Sequence, residues 1–84
     1  MRRNDLDICA DLLNVARDGA IKTQLVYKAN LNFKIIKKYI TRLSEYGFLE
    51  SERGQYITTD KGKRFITQYR EVTEPFRFSK EDEP

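Results

Sequence analysis

Two short helices joined by a tight turn are predicted by residues 23–47, which read TQLVYKANLNFKIIKKYITRLSEYG. Asparagine tolerates left-handed backbone and caps helices well, so Asn30 is expected to close the first helix and Asn32 to open the second. The second helix is predicted over residues 33–46, with Gly47 as the residue after its C-cap. A helix-turn-helix unit is therefore expected at the centre of the chain.

The same region carries a concentrated positive charge. Between Gly19 and Ser44 the chain has six lysines and arginines and no aspartate or glutamate, which gives +6 over 26 residues, whereas the whole chain sums to +3. A surface of one sign attracts a polyanion through the release of condensed counterions, and nucleic acid is the commonest such partner. The charge therefore favours double-stranded DNA as the partner.

At about 100° per residue, the helix predicted over residues 33–46 has an apolar side and a cationic side. The apolar side comprises Ile36, Ile40 and Leu43, with Phe33 nearby. The opposite side comprises Lys34, Lys38 and Thr41, flanked by Lys37 and Arg42. A solvated helix face usually mixes signs, yet the single acid here, Glu45, comes at the very end. This pattern favours a binding surface over the alternative of a merely soluble one.

A helix and a short strand are predicted before this unit, and a hairpin and a helix after it. Asn4 is placed to cap a helix over residues 5–18, residues 20–22 are expected to form a brief edge strand, and Thr23 to cap the next helix.

Strands are then expected at residues 48–52 and 55–58, with a turn at Arg53 and Gly54 between them. Thr59 is expected to cap a last helix that stops near Val72 or Thr73, because Pro75 disfavours helical backbone before it.

The order helix, short strand, helix, helix, two-stranded wing and C-terminal helix is that of a winged helix-turn-helix, a mostly helical α+β fold. In this architecture the helix over residues 33–46 enters the major groove and the wing reaches the flanking backbone. One such domain is predicted over residues 1–73, followed by an acidic C-terminal tail over residues 74–84.

Nine side chains are the predicted DNA contacts. Five belong to the groove-binding helix: Lys34, Lys37, Lys38, Thr41 and Arg42. Four lie outside it: Asn32, Thr23, Gln24 and Arg53. Helix capping is the alternative role of Asn32 and Thr23, and simple solvation that of Arg53. Because lysine is a flexible point charge without bidentate geometry, backbone-weighted binding with modest sequence preference is expected.

Apolar and aromatic residues near this surface have more than one interpretation. Tyr27, Tyr39 and Tyr46 are expected in the core or at a subunit contact, with stacking on DNA as the alternative. Ile35 lies between the apolar and cationic sides, where it meets either a thymine methyl group or another subunit.

Composition speaks against an enzyme, a metalloprotein and a membrane protein. The chain has no histidine and a single cysteine, Cys9, which removes a zinc finger, an intrachain disulfide and any histidine-based nucleophile pair. Cys9 is expected to be a small buried hydrophobe. No phosphate-binding glycine-rich loop is present and no cofactor is expected. No apolar run approaches the roughly 18–20 residues that span a bilayer, so a cytoplasmic protein is expected. Binding to DNA would make it nucleoid-associated.

Two segments resemble small archaeal winged-helix proteins. The first is KANLNF at residues 28–33, followed by Tyr39-Ile40, Leu43 and GFLE at residues 47–50; the second is YITTDKGKRF at residues 56–65. The resemblance implies a DNA-binding transcriptional regulator or chromatin-associated protein, in some members a dimer joined by a long C-terminal coiled coil. Because Pro75 ends the last helix, this helix lacks the length for such a coil. Homodimerisation is therefore expected through a shorter interface between the first and last helices.

A protein-interaction module within a larger complex is the alternative function. Its support is a set of apolar residues expected to be exposed, Ile8, Val15, Phe76 and Phe78, together with the acidic tail, which would compete with DNA for the cationic side.

Overall fold

The element order agrees with the α+β order that the sequence predicts. A computed structural model describes residues 4–76. The elements are α1 (Asp5–Val15), α2 (Lys22–Ala29), α3 (Phe33–Glu45), β1 (Leu49–Glu52), β2 (Gln55–Thr58), α4 (Asp60–Thr73) and a terminal 3-10 turn (Glu74–Phe76). The last helix therefore ends where the sequence predicts. The remainder of the acidic tail, including Phe78, lies outside the described residues.

Helix α1 begins as predicted but ends three residues early. The Asn4 side chain accepts a hydrogen bond from the backbone N–H of Asp7 at 2.8 Å, and the Asp7 carboxylate accepts one from the Asn4 N–H at 3.2 Å. At the other end, the carbonyl of Ala16 accepts from the N–H of Thr58 at 2.9 Å, and Ala20 pairs with Tyr56. The Ala16 carbonyl and the Ala20 N–H, which would bond to each other in a longer helix, thus bond to the hairpin instead. The strand predicted at residues 20–22 is reduced to the single bridge at Ala20.

The prediction that Thr23 caps α2 is wrong. Ile21 occupies the N-cap position, and the Gln24 side-chain oxygen accepts a hydrogen bond from the Ile21 N–H at 3.0 Å. Because isoleucine has no side-chain oxygen, Gln24 at the third helical position supplies the one available half of a capping box. Thr23 lies exposed inside the first turn of α2.

The tight turn between α2 and α3 is confirmed. Asn30 adopts left-handed backbone with φ of 56° and closes α2, and the Asn32 side chain accepts a hydrogen bond from the Ile35 N–H at 2.8 Å. Leu31, between them, is partly buried against the core. Each asparagine therefore performs the role that its local chemistry predicts.

The core is one cluster of mostly aliphatic side chains to which each of the four α-helices contributes. Its largest fully buried side chains are Leu12, Leu13, Leu25, Ile36 and Ile66. Helix α1 packs against both α2 and α4, so its broad apolar surface is used on two sides. For that reason the prediction that Ile8 and Val15 are exposed is wrong: both are partly buried against this cluster.

Two tyrosines connect the first turn of α1 to the helices beside it. The Tyr39 hydroxyl on α3 donates a hydrogen bond to the Asp5 carboxylate at 2.5 Å, and the Tyr69 hydroxyl on α4 donates one to the Asp7 carboxylate. Both bonds join residues far apart in the chain. They fix the positions of α3 and α4 relative to the same helical turn.

The hairpin is closed by the two-residue turn that the sequence predicts. Arg53 and Gly54 have φ of 50° and 79°, the mirror-image turn whose twist matches that of antiparallel strands. At the other end of the hairpin, the buried Thr58 hydroxyl donates to the Leu13 carbonyl at 2.6 Å. The wing is thus anchored to α1 at its base and free at its tip.

Candidate nucleic-acid interface

Helix α3 separates a buried side from an exposed cationic side. The buried side consists of Ile36, Tyr39, Ile40 and Leu43. All five contact residues predicted on this helix are exposed: Lys34, Lys37, Lys38, Thr41 and Arg42. At about 100° per residue, Lys34, Thr41 and Lys38 lie opposite the buried side, with Glu45 at the end of the same row. The structure therefore brings four cations together on one face of one rigid helix.

The N-terminal end of α3 is held by Asn32. Its side-chain oxygen is occupied by the Ile35 N–H, so the capping role considered for Asn32 is present in the fold. Its amide NH₂ group remains at the start of the helix, where the helix dipole also favours an anion.

The C-terminal end of α3 is held by the segment that begins α4. The Lys61 ammonium donates to the carbonyl of Tyr46 at 2.9 Å, and the Thr59 hydroxyl donates to the carbonyl of Gly47 at 2.6 Å. The Lys61 charge also lies 5.3 Å from the centre of the Phe48 ring. A cation at this end complements the helix dipole, so Lys61 stabilises α3 and is a positioning residue that sequence reasoning missed. The sequence signal for this role was the position of Lys61 within the segment TTDKG, residues 58–62.

The charges of Asp5 on α1 and Arg42 on α3 act in opposite directions on the thiol of Cys9. Cys9 on α1 is partly buried, and this burial raises the pKa of its thiol; the Asp5 carboxylate raises it further, whereas the Arg42 guanidinium lowers it. The Lys38 ammonium lies 5.6 Å from the centre of the Tyr39 ring, whose hydroxyl is bonded to Asp5.

The remaining predicted contacts lie outside α3. Thr23 and Gln24 are exposed in the first turn of α2, although the Gln24 oxygen is engaged by the Ile21 N–H. Arg53 is exposed at the tip of the wing. The strand that precedes it carries exposed Glu50 and Glu52, so the wing is cationic only at its tip.

The three tyrosines near this surface differ in exposure, and Phe33 is more exposed than expected. Tyr39 is buried, as its assignment to the core or an interface allows, but Tyr27 and Tyr46 are 78% and 57% exposed and do not belong to the core. Phe33, expected near the apolar side of α3, is 54% exposed, and Ile35 is 41% exposed. On the helical wheel Phe33 falls at the border of the buried side, where packing decides its exposure.

Neither a cluster of metal ligands nor a membrane-spanning helix occurs among residues 4–76. No group of three or more histidine, cysteine, aspartate or glutamate side chains in this range is arranged to hold a metal ion. None of the helices described combines the length and apolar character that crossing a membrane requires.

Comparisons with known proteins give one family and one fold. A family model described as a winged helix-turn-helix matches residues 2–76. An uncharacterized protein of Methanocaldococcus jannaschii is 28% identical over 74 residues, which cover 87% of this chain and 76% of that relative. A second uncharacterized protein of the same archaeon is 29% identical over 73 residues, which cover 86% of this chain and 35% of that relative.

A solved structure has a similar fold. The crystal structure of Sso10a-2, a DNA-binding protein from Sulfolobus solfataricus, matches with a TM-score of 0.78 and 27% sequence identity, over 88% of this chain and 82% of that one.

Proposed function

The chain belongs to the winged helix-turn-helix family, as its sequence resemblance indicated, and on that premise we propose that it binds double-stranded DNA with α3 in the major groove. The observation that carries the proposal is the exposed cationic side of α3, which points away from the core. The similarity to Sso10a-2, a DNA-binding protein, supports the same activity.

Each contact has a role that follows from its place. Lys34, Lys38 and Thr41 face the floor of the groove, because they lie opposite the buried side of α3. Lys37 and Arg42 flank them and reach phosphates on either side. Thr23, Gln24 and Asn32, at the starts of α2 and α3, contact the backbone, and Arg53 reaches the phosphates or minor groove beyond the wing.

We assign to this binding a role in transcription regulation or in organising the nucleoid, in the cytoplasm of an archaeal cell. The abundance of lysine on α3 favours contacts with the DNA backbone. Because such contacts do not read the base sequence, they suit a protein that binds at many sites.

Affinity for duplex DNA should fall steeply as salt rises. Four cations on α3 and one at the wing tip would release about 0.9 counterion each, giving a slope of log affinity against log salt of about −4 to −5 per protomer. Fluorescence anisotropy with a labelled duplex of mixed sequence, between 50 and 200 mM salt, measures this slope. An absence of binding at low salt, or a slope near zero, would refute the proposed function.

We also propose that the protein acts as a homodimer, since helix-turn-helix readers commonly pair two half-sites. Helix α4 bears Phe65, Tyr69 and Val72, and the 3-10 turn that follows it bears Phe76. In the sequence these four residues have the 4-3-4 spacing typical of a helix-pairing seam. Val72 and Phe76 are 67% and 76% exposed, and Leu6 of α1 lies beside Val72 in one apolar groove. A contiguous apolar surface of this kind is typical of an interface, and a second copy supplies the matching one.

Light scattering should then give twice the 10.0 kDa of one chain. Changing Val72 and Phe76 to glutamate is expected to give a folded monomer, because two charges would be buried without partners. Thr67→Glu, on the opposite side of α4, is the matched control and should remain a dimer. A monomeric wild-type protein would contradict this assembly.

A further inference from the structure

Two large apolar side chains stand in the first turn of the proposed groove-binding helix. Phe33 is 54% exposed and Ile35 is 41% exposed. At about 100° per residue, they fall on opposite shoulders of the cationic side, each roughly a right angle from its middle. The N-terminal residues of a recognition helix are those that meet base edges, so both lie where sequence is read.

The fold itself does not require either side chain at its position. Aromatic and β-branched residues are weaker helix formers than alanine, glutamate or lysine, so neither is favoured at an exposed site in a first turn. Asn32 caps α3 through the backbone N–H of residue 35, a contact that any residue other than proline would make. The two apolar side chains are therefore available to a ligand.

Few side chains at the N-terminal end of α3 can distinguish bases by hydrogen bonds. A bidentate contact to adenine needs both the oxygen and the nitrogen of an asparagine amide, and the oxygen of Asn32 is occupied. Lys34 is a point charge that does not distinguish bases strongly. Arg42 lies more than two turns further along α3. Discrimination by hydrogen bonds is thus weak where the helix tip meets the bases.

We infer that Phe33 and Ile35 contact the C5-methyl groups of thymine, which makes the protein prefer A·T-containing major grooves. The thymine methyl is the one apolar group that a base pair presents in the major groove, and phenylalanine and aliphatic side chains are suited to contact it. Two opposite shoulders of one helix face the two strands, so one methyl on each strand is covered. This inference rests on the proposed function and specifies the duplex that it prefers.

Replacing thymine by deoxyuridine tests the inference, because it removes the methyl group and keeps the base pair. Two duplexes of one A·T-rich sequence, one with thymine and one with deoxyuridine throughout, are titrated with the wild-type protein at fixed salt. The deoxyuridine duplex should bind about fourfold more weakly for each methyl group covered. Because this step uses the wild-type chain, it does not depend on the folding of any variant.

Protein variants then locate the effect. Phe33→Ala/Ile35→Ala should bind both duplexes equally and keep a steep salt dependence. Lys38→Ala is the matched control on the same helix: it should weaken binding to both duplexes by the same factor and leave their ratio unchanged.

Three results would overturn the inference. Equal wild-type affinities for the two duplexes would overturn it and leave the proposed DNA binding intact. A ratio that persists in Phe33→Ala/Ile35→Ala would overturn it too, since the preference would then come from the shape of the duplex. If neither duplex is bound at low salt, both the inference about thymine and the proposed DNA binding are wrong.

Discussion

Replacing Lys34 and Lys38 by glutamate is expected to lower affinity for duplex DNA by at least about 100-fold near 0.1 M salt. Both side chains are exposed and lie opposite the buried side of α3. An ammonium group inside the groove still neutralises nearby phosphate charge, so each one lost removes up to about 0.9 from the salt slope, which at 0.1 M equals about 0.9 log unit of affinity. Repulsion between the new carboxylates and the phosphates adds to that loss.

Anisotropy titrations at several salt concentrations would give both the affinity and the slope, which should fall by about 2. The fold should be little affected, because the buried contacts of α3 do not involve either lysine. The one contact at risk is that of Lys38 with the Tyr39 ring, worth about 0.5–1 kcal/mol at an exposed site.

Lys63→Glu/Arg70→Glu is the matched control, since it makes the same change in net charge at exposed positions of α4. If this pair weakens binding as much as the α3 pair, the net charge of the protein is responsible and α3 has no special role. If neither pair weakens binding, the groove-binding role of α3 is wrong.

Changing Gly62 to alanine is expected to lower the free energy of unfolding by about 3 kcal/mol. A Cβ atom at residue 62 would lie 2.3 Å from the carbonyl oxygen of Phe48 and 2.7 Å from a methyl carbon of Thr58. The first atom is backbone and the second belongs to a buried side chain, so neither can move aside easily. Because alanine is a better helix former than glycine, it would stabilise α4 by about 1 kcal/mol. This gain is smaller than the cost of separating α4 from the hairpin.

Thermal unfolding followed by circular dichroism would measure the effect. In a domain of this size, 3 kcal/mol corresponds to a fall in Tm of about 10–25 °C. Lys63→Ala, at the next position of α4 and exposed, is the control and should change Tm by a few degrees at most. An unchanged Tm in Gly62→Ala would show that α4 can move away from Phe48 and Thr58 at little cost.

The same substitution should also affect DNA binding. Residues 59–62 hold the C-terminal end of α3 through Thr59 and Lys61, so a displaced α4 leaves that end less well fixed. Even at a temperature where the variant is folded, weaker binding is therefore expected.

Features set by neighbouring residues could be predicted from the sequence. Asn30 and Asn32 define the turn because left-handed backbone and N-capping depend on atoms within a few residues. The turn at Arg53 and Gly54 and the cap at Thr59 are equally local. The cationic side of α3 follows from helical spacing alone.

Features set by contacts between distant residues could not be predicted. Helix α1 ends early because Ala16 bonds to Thr58, a partner 42 positions away. The exposure of Phe33 and Tyr27 depends on how α2 and α3 pack, which periodicity does not contain. The role of Gln24 at the start of α2 was missed because Thr23 has the stronger intrinsic capping preference.

The two tyrosine–aspartate bonds have a consequence for the length of duplex that a paired protein would recognise. Asp5 and Asp7 belong to one turn of α1, and they hold the helix proposed to enter the groove and the helix proposed to meet a second copy. Reorienting either helix relative to α1 would strain the bond that this helix makes with it, so the spacing between the two groove-bound helices of a pair is expected to vary little. A duplex whose half-sites are spaced differently would have to twist or bend to fit, and bending stiffness would then contribute to site selection.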